Sequence, residues 1–240
     1  MGTKVMTYNI HHGKGLDKQV NLDRICKVID RSNADIIGLN EVDFNFSERS
    51  RYAHQIQTLA DKLKYDYAFS PSVTIKAQNG QIRQYGNGIL SRFPIGTIKS
   101  HPFNFVSGMI EGRSMLEASI EINGKQADFF VTHLSLNPFL HKKQSNSIIE
   151  IANKKQGPLV LMGDWNMKPS TWKWNRIASH FTDVWSKTGK ADGATFPARR
   201  PVMRLDYQFV NKQVEVIDCM VFAEIPEASD HLPVLSTLVI

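Results

Sequence analysis

The sequence predicts an α/β fold in which short buried strands alternate with amphipathic helices. Apolar runs of strand length recur along the chain, as at residues 34–39 and 158–162. Apolar residues at helical spacing separate such runs, as in Leu22, Ile25 and Ile29. Several strands also end at a side chain that can act as an acid, a base or a ligand. This layout predicts a site gathered at one edge of a sheet.

The composition is that of a globular protein with a basic surface. A chain of 240 residues with 42% hydrophobic residues is long enough to bury a large core, and without repeats or linkers we expect one domain over residues 1–240. The net charge of +6 favours an anionic substrate or surface, although the lysines are scattered and form no nucleic-acid-binding arm. Cys26 and Cys219 are interpreted as core residues, without a disulfide or a thiolate metal site.

The amino terminus enters a strand-like pattern without the apolar core of a signal peptide. No apolar run approaches the length of a transmembrane segment. We therefore expect a cytoplasmic monomer with no transmembrane segment and no obligatory protein partner. Removal of an export signal is the alternative for its location.

The first elements are a strand over residues 4–10 and a helix that starts after Asn21. Asn9 lies at the end of the strand, before a polar turn, and Asn21 is a suitable helix N-cap. His11 and His12 suggest a metal-binding pair, but adjacent residues on a strand point to opposite faces, so this pair carries little weight.

The next strand, over residues 34–39, is expected to end at Asn40 and Glu41, which delivers a carboxylate to the strand end. A second helix follows at residues 56–63. Residues 71–86 are rich in Gln, Asn and Gly and are interpreted as a loop.

A hairpin is predicted around Asn123-Gly124, a dipeptide that is typical of tight turns between antiparallel strands. Its strands cover residues 115–121 and 127–134, and His133 lies at the end of the second strand. A helix is expected over residues 140–155.

The buried strand at residues 158–162 stops at Gly163 and is followed by Asp164 and Asn166. Residues two apart on an extended backbone face the same way, so these two side chains are expected to project together. A carboxylate beside an amide suits work on a phosphate. A polar turn after a strand is the simpler alternative for this stretch taken alone.

After a short helix at residues 172–181, strands are predicted at residues 205–210, 214–221 and 234–240. Asp206 lies at one end of the first of these strands, and Asp230 and His231 come just before the last. The ordinary alternative for each lone acid or histidine is a surface or core role. The prediction of a site would fail only if the ordinary alternative applied to all of these residues at once.

The ordered set of strand-end motifs resembles the endonuclease/exonuclease/phosphatase superfamily, which has the deoxyribonuclease I-like fold. The resemblance spans nearly the whole chain and rests on Thr7-Tyr8-Asn9-Ile10, Leu39-Asn40-Glu41-Val42, residues 87–94, Thr132-His133-Leu134, Gly163-Asp164-Trp165-Asn166, Arg204-Leu205-Asp206-Tyr207 and Ser229-Asp230-His231. It implies a four-layer α/β sandwich of two packed mixed β-sheets flanked by helices. Asn40 stands where many relatives have glutamine. Gln208 replaces an apolar residue, which suggests polar surroundings or a less buried sheet face.

The resemblance also implies a Mg²⁺ or Mn²⁺ site. Glu41 would be the principal ligand, Asn9 would lie beside it, and Asp230 would help to hold the metal or its water. Oxygen ligands of this kind suit a hard cation. Arg113 matches an arginine that supports the same site.

The remaining roles implied by the resemblance concern the phosphate. Asp164 would orient or deprotonate the attacking water, with Asn166 alongside. His231 would bind the scissile phosphate, held and kept protonated by Asp206. His133 would be a second histidine on the phosphate side and a candidate acid for the leaving group.

The function implied is hydrolysis of a phosphodiester by in-line attack of an activated water, with a metal ion as cofactor. The substrate class stays open among small-molecule, lipid-linked and nucleic-acid phosphoesters. A metal-dependent DNA or RNA nuclease is the first alternative. A catalytically inactive binding module on the same fold is the second.

Overall fold

The computed structural model describes residues 2–105 and 112–240. Two six-stranded β-sheets pack face to face, and helices cover their outer faces. One apolar cluster joins residues of both sheets, and two further clusters join each sheet to its helices. The four-layer α/β sandwich implied by the resemblance is confirmed.

The strands of the described residues, in chain order, are β1 (Thr3–Asn9), β2 (Ile36–Phe44), β3 (Asp66–Lys76), β4 (Ile82–Ser91), β5 (Ile95–Pro102), β6 (Ser114–Ile122), β7 (Lys125–His133), β8 (Leu159–Asp164), β9 (Thr182–Asp183), β10 (Asp206–Val210), β11 (Glu215–Val221) and β12 (Val234–Val239). The helices are α1 (Leu22–Ser32), α2 (Gln55–Leu63), α3 (Pro138–Ala152), α4 (Trp172–Ala178) and α5 (Trp185–Thr188).

The first sheet has the order β11-β12-β1-β2-β4-β3 and the second has the order β5-β6-β7-β8-β10-β9. Each sheet contains one parallel pair, β1-β2 in the first and β7-β8 in the second. Parallel neighbours end at the same edge of a sheet. Asn9 is therefore level with Asn40, and His133 with Asp164. The antiparallel strand β10 begins at that edge, where Asp206 pairs with Asp164.

Strand β2 does not end at Asn40-Glu41 as predicted but continues to Phe44. Its pairing with β4 gains one extra residue between Leu39 and Val42, and Glu41 has a left-handed φ of 59°. This is a β-bulge, which re-aims a side chain at the rim of a sheet. The carboxylate is delivered by a distortion within the strand and not by its end.

The loop predicted at residues 71–86 is also wrong, because most of it belongs to the hairpin of β3 and β4. The Gln, Asn and Gly residues of this segment lie mainly in the exposed turn at residues 77–81 and in the first part of β4, where polar side chains are tolerated. The polar composition of residues 71–86 indicates that the segment is exposed, but it does not indicate the conformation of the backbone.

Two other local predictions, the cap of α1 and the Asn123-Gly124 turn, are confirmed. Asn21 caps α1 by accepting hydrogen bonds from the backbone N–H groups of Asp23 and Arg24. Asn123 and Gly124 have φ values of 52° and 79°, as a tight hairpin turn requires. Among the described helices, none has the length and apolar character needed to cross a membrane.

Gln208 lies in the interface between the sheets and is fully buried, so the less buried face is excluded. Its Nε2 donates to the backbone carbonyl oxygens of Val5 and Val234 at 3.0 and 3.1 Å. The amide therefore satisfies two buried acceptors of the first sheet from a strand of the second.

Candidate active site

The edge where both parallel pairs end opens into a cavity of about 810 Å³. The predicted site residues that line it are Glu41, Arg113, His133, Asp164, Asn166, Asp230 and His231. Asn9 and Asp206 are buried behind these residues and bond to them. The structure thus brings together all nine predicted residues from both sheets.

Asp164, Asp206 and His231 form a buried group on the side of the second sheet. His231 Nδ1 lies 2.8 Å from Asp206 Oδ2, and His231 Nε2 lies 3.8 Å from Asp164 Oδ2. The hydroxyl of Thr195 also donates to Asp206 Oδ2, at 2.6 Å. These contacts fix the orientation of the His231 ring, with Nε2 on the side of Asp164.

Burial and the charge of Asp206 act in opposite directions on the pKa of His231 and in the same direction on the pKa of Asp164. Burial disfavours the charged form of His231, but the adjacent Asp206 carboxylate outweighs it and raises the pKa of His231 to about 10. Burial, reinforced by repulsion from Asp206, raises the pKa of Asp164 to about 7. At neutral pH the imidazole is a cation, whereas Asp164 is poised to gain or lose a proton.

His133 also approaches Asp164, with its Nε2 3.5 Å from the same Oδ2 oxygen. Burial and the nearby cations Arg113 and His231 lower the pKa of His133 well below its usual value. The ring is therefore neutral at neutral pH. A neutral imidazole can donate a hydrogen bond to a phosphate but carries no acidic proton for a leaving group.

Asp164 and Asn166 do line the cavity together, but not because the backbone is extended. Asn166 has a left-handed φ of 46°, and its N–H turns back to donate to Asp164 Oδ1 at 3.0 Å. Its side-chain amide donates to the Leu134 carbonyl at 2.8 Å. At Gly163 (φ 140°), a Cβ would lie 1.9 Å from the Thr132 carbonyl oxygen, so only glycine fits.

Asn9 connects the two halves of the site. Its Nδ2 donates to Glu41 Oε1 and to Asp164 Oδ2, both at 3.1 Å. Its Oδ1 accepts the backbone N–H of His11 at 3.1 Å. One amide therefore holds the carboxylate of the first sheet at a fixed separation from that of the second.

Asn40 makes a second connection, through a fully buried side chain. Its Oδ1 accepts the backbone N–H of Asp164 at 2.8 Å. Its Nδ2 donates to Asn87 Oδ1 and to the Thr132 carbonyl at 2.8 and 2.9 Å. The shorter amide at this position is thus fully bonded.

His11 and His12 lie in a short 3₁₀ turn (His11–Gly13) with φ of 45° at both residues, so the strand-based reason for discounting them is wrong. One ring nitrogen of each and one Glu41 carboxylate oxygen lie within 4.8 Å of one another. Asp230 Oδ2 lies 3.4 Å from His11 Nδ1. The following Gly13, with φ of 76°, was the available sign of a turn.

Two contributors were missed by the sequence reasoning. Arg49 lines the cavity and donates through Nε and Nη2 to both oxygens of the buried Asp43, at 3.0 and 2.6 Å. Thr195, which anchors Asp206, lies in a loop eleven residues before it along the chain. No sequence pattern marks such a loop threonine, whereas the acid of Glu41-Val42-Asp43 was a possible partner for Arg49.

Comparison with known proteins gave a match over residues 6–231 to the model of the Endonuclease/Exonuclease/phosphatase family. A search of curated proteins found no match.

Solved structures share the fold at low sequence identity. An endonuclease/exonuclease/phosphatase from Beutenbergia cavernae is 24% identical with a TM-score of 0.84, covering 99% of this chain and 71% of that chain. A mannosyl-6-phosphatase of Bacteroides thetaiotaomicron is 19% identical with a TM-score of 0.75, covering 99% and 100%. The human Nocturnin catalytic domain is 19% identical with a TM-score of 0.72, covering 99% and 94%.

Proposed function

The chain belongs to the endonuclease/exonuclease/phosphatase family, whose members are hydrolases acting on phosphoesters, and we propose that it hydrolyses a phosphodiester with Mg²⁺ or Mn²⁺ as cofactor. The observation that carries the proposal is the buried pair of a protonated His231 and Asp206 facing Asp164. A fixed cation beside a carboxylate with a raised pKa suits attack of water on an anionic phosphorus centre.

The chain's own residues divide the work as follows. Asp164 accepts the proton of the attacking water as the water oxygen bonds to phosphorus and the ester P–O bond breaks, and the leaving oxygen takes its proton from solvent in the open cavity. The N–H donors of Asn9 and Asn166 hold the two oxygens of Asp164 in place. His231 donates from Nε2 to a phosphate oxygen and stabilises the negative charge that builds in the transition state. Asp206 keeps that ring charged and oriented.

We assign His133 to hydrogen bonding of the phosphate, in place of the leaving-group acid, because its ring is neutral. Arg113 lies on the same cavity wall and adds a permanent positive charge. Both residues contribute to binding of the phosphate rather than to proton transfer.

The donor set fits a divalent cation. Glu41 offers a carboxylate, Asn9 an amide oxygen and Asp230 a second carboxylate, and these are ligands that Mg²⁺ and Mn²⁺ accept. Glu41 has the ring nitrogens of His11 and His12 as close neighbours, and these favour Mn²⁺ over Mg²⁺. A bound cation would neutralise phosphate charge and lower the pKa of a bound water.

The test is hydrolysis of bis(p-nitrophenyl) phosphate and p-nitrophenyl phosphate with Mg²⁺ or Mn²⁺, and with EDTA. One structural neighbour is named a mannosyl-6-phosphatase, so the monoester is measured alongside the diester. We expect metal-dependent cleavage of the diester that Asp164→Asn lowers by about 10²- to 10⁴-fold. Asp61→Asn, which removes an exposed carboxylate on α2, is the matched control and should cleave normally.

Preference for the monoester would replace the phosphodiesterase proposal by a phosphatase. Equal rates for Asp164→Asn and Asp61→Asn would remove Asp164 from the mechanism. Failure of the protein to bind Mg²⁺ or Mn²⁺ in a calorimetric titration, together with inactivity on both esters, would favour the binding module.

A nuclease is the second candidate, because four permanently or normally cationic side chains line the cavity, namely Arg49, Arg113, Lys168 and Lys173. It predicts that oligonucleotides are cleaved and that their affinity falls steeply as salt is raised. Binding that is absent, or insensitive to salt, would count against it.

A further inference from the structure

Three large apolar side chains are exposed beside the cavity and define what we call the rim patch: Leu136, Phe139 and Trp172. They are 71%, 60% and 48% exposed, and Leu136 and Phe139 are among the most exposed large hydrophobic residues in the described part of the chain. Large exposed apolar groups that lie together mark interaction surfaces.

The rim patch is continuous and borders the proposed active site. Leu136 and Trp172 both line the cavity that holds Asp164 and His231. Trp172 and Phe139 also share a surface groove between α3 and α4. The ammonium group of Lys173, in the first turn of α4, lies 3.3 Å from the carbonyl oxygen of Leu136 and joins α4 to the segment that precedes α3.

Basic side chains surround the rim patch. Lys143 Nζ lies 4.6 Å from the centre of the Phe139 ring, and Lys142 and Arg176 line the groove beside it. Lys168 and Lys173 lie on the cavity side. The one acid that lines the groove, Glu150, is paired with Lys154 at 2.9 Å within the described residues. The surroundings are therefore positively charged.

One further exposed apolar residue, Val202, lies next to the mouth of the cavity. Val202 is 72% exposed and precedes Met203, which lines the cavity. Arg199 and Arg200, in the same loop, are also exposed. This loop repeats the combination of an apolar tip and basic neighbours.

We propose that the rim patch docks the enzyme onto an anionic lipid surface, so that the phosphoester substrate is an amphiphile drawn from that surface. Apolar tips including a tryptophan, surrounded by Lys and Arg, combine apolar burial with attraction to anionic headgroups. Single-stranded nucleic acid fits less well. Phe139 and Trp172 could stack on bases, but the two most exposed apolar side chains at the cavity mouth, Leu136 and Val202, are aliphatic and offer no ring for stacking. The substrate part of this proposal rests on the proposed phosphoesterase function, but the docking part does not.

The test is co-sedimentation with vesicles of phosphatidylcholine, with and without phosphatidylglycerol. The wild-type protein should bind the vesicles that contain phosphatidylglycerol and bind more weakly as salt is raised. Leu136→Ser combined with Phe139→Ser should lower the partition coefficient at least about tenfold. The matched control is Ile217→Ser combined with Met220→Ser, which removes two exposed apolar residues of β11 and should bind normally.

Two further measurements separate vesicle binding from effects of the substitutions on folding and from catalytic activity. The double variant Lys142→Gln/Lys143→Gln keeps the apolar patch, and it should lose the preference for phosphatidylglycerol while Lys125→Gln does not. Asp164→Asn should bind the vesicles like the wild-type protein even when it is inactive. Vesicle binding without hydrolysis would support the docking proposal and contradict the proposed function. Hydrolysis without vesicle binding would support the proposed function and contradict the docking proposal.

Absence of vesicle binding would overturn the docking proposal, and so would equal binding by the rim-patch and β11 variants. Oligothymidylate binding that is stronger than vesicle binding and is lost in Leu136→Ser/Phe139→Ser would assign the patch to nucleic acid. A dimer in sedimentation velocity that dissociates in the same variant would assign it to a second copy of the chain.

Discussion

The half of the site on the second sheet is buried and bonded to itself, whereas the half on the first sheet is partly open. The side chains of Asp164, His133 and His231 are only 3%, 8% and 7% exposed, whereas those of His11 and Asp230 are 29% and 34% exposed. In the buried half, low exposure and close charges lower the pKa of His133 and raise the pKa values of Asp164 and His231.

This difference separates two tasks. Proton transfer and charge stabilisation need groups whose protonation and position are fixed before the substrate arrives, and burial provides both. A cation that exchanges with solvent and keeps water ligands needs donors that remain accessible. Asn9 and Asn40 join the halves, so each half can be disturbed separately or through its connection to the other.

The largest effect should come from the buried half. His231→Gln removes the cation that faces Asp164, and we expect kcat on the diester to fall by about 10²- to 10³-fold. Steady-state kinetics at saturating metal would measure this change. His180→Gln, at an exposed histidine, should leave kcat unchanged. A near-normal kcat in His231→Gln would refute the assigned role.

The open half should respond mainly in its metal affinity. Glu41→Gln removes the carboxylate charge, and we expect the Kd for Mn²⁺ to rise by at least about tenfold. Activity should then recover in part at high metal concentration, which His231→Gln should not show. Calorimetric titration of both variants distinguishes the halves, and an unchanged Kd in Glu41→Gln would remove this residue from the metal site.

The connection between the halves is tested by Asn40→Ala. The variant leaves the buried Asp164 N–H and Thr132 carbonyl without the partners they have in the structure. We expect the free energy of unfolding to fall by about 3 kcal/mol, since each unsatisfied buried group costs about 1–3 kcal/mol. Urea denaturation measures the loss. Asn79→Ala, at an exposed turn asparagine with one hydrogen bond, should lose well under half as much.

The last prediction concerns a histidine outside both halves. His141 is fully buried, its Nε2 is 2.8 Å from the Trp165 carbonyl oxygen, and Ser145 Oγ is 3.1 Å from its Nδ1. Burial lowers the pKa of His141 to about 4. The unfolded chain, with an ordinary pKa of about 6.5, therefore binds a proton that the folded chain does not bind between these pH values.

Lowering the pH through that window should destabilise the fold by about 1.4 kcal/mol per pH unit for this residue. His141→Gln should make the fall in stability between about pH 6.5 and 4 shallower by that amount. Urea denaturation at several pH values compares the two slopes. Identical slopes would mean that His141 is not held neutral by the fold.

Much of the site could be predicted because strand ends and turn residues leave local marks in the sequence. The motif ending at Asp164 and the pair Asp230-His231 are of this kind, and so is the Asn123-Gly124 turn. The bulge at Glu41 and the 3₁₀ turn at His11–Gly13 leave weaker marks, since their conformations depend on the strands that pair beside them. Hairpin β3-β4 was missed because its exposed turn, at residues 77–81, carries the polar residues and the glycine that are also typical of a longer loop.

The succession of strands along the chain and the chemical groups at their ends follow from the sequence, because buried and polar segments can be recognised over a few residues. Which of these groups carry charge depends on the tertiary structure. The residues next to His133 and His231 in the chain do not reveal which of the two is charged. In the folded protein His231 lies against Asp206 and is protonated, whereas His133 lies near cations and is neutral. Protonation depends on burial and on charges brought together from distant segments, and these exist only in the folded protein.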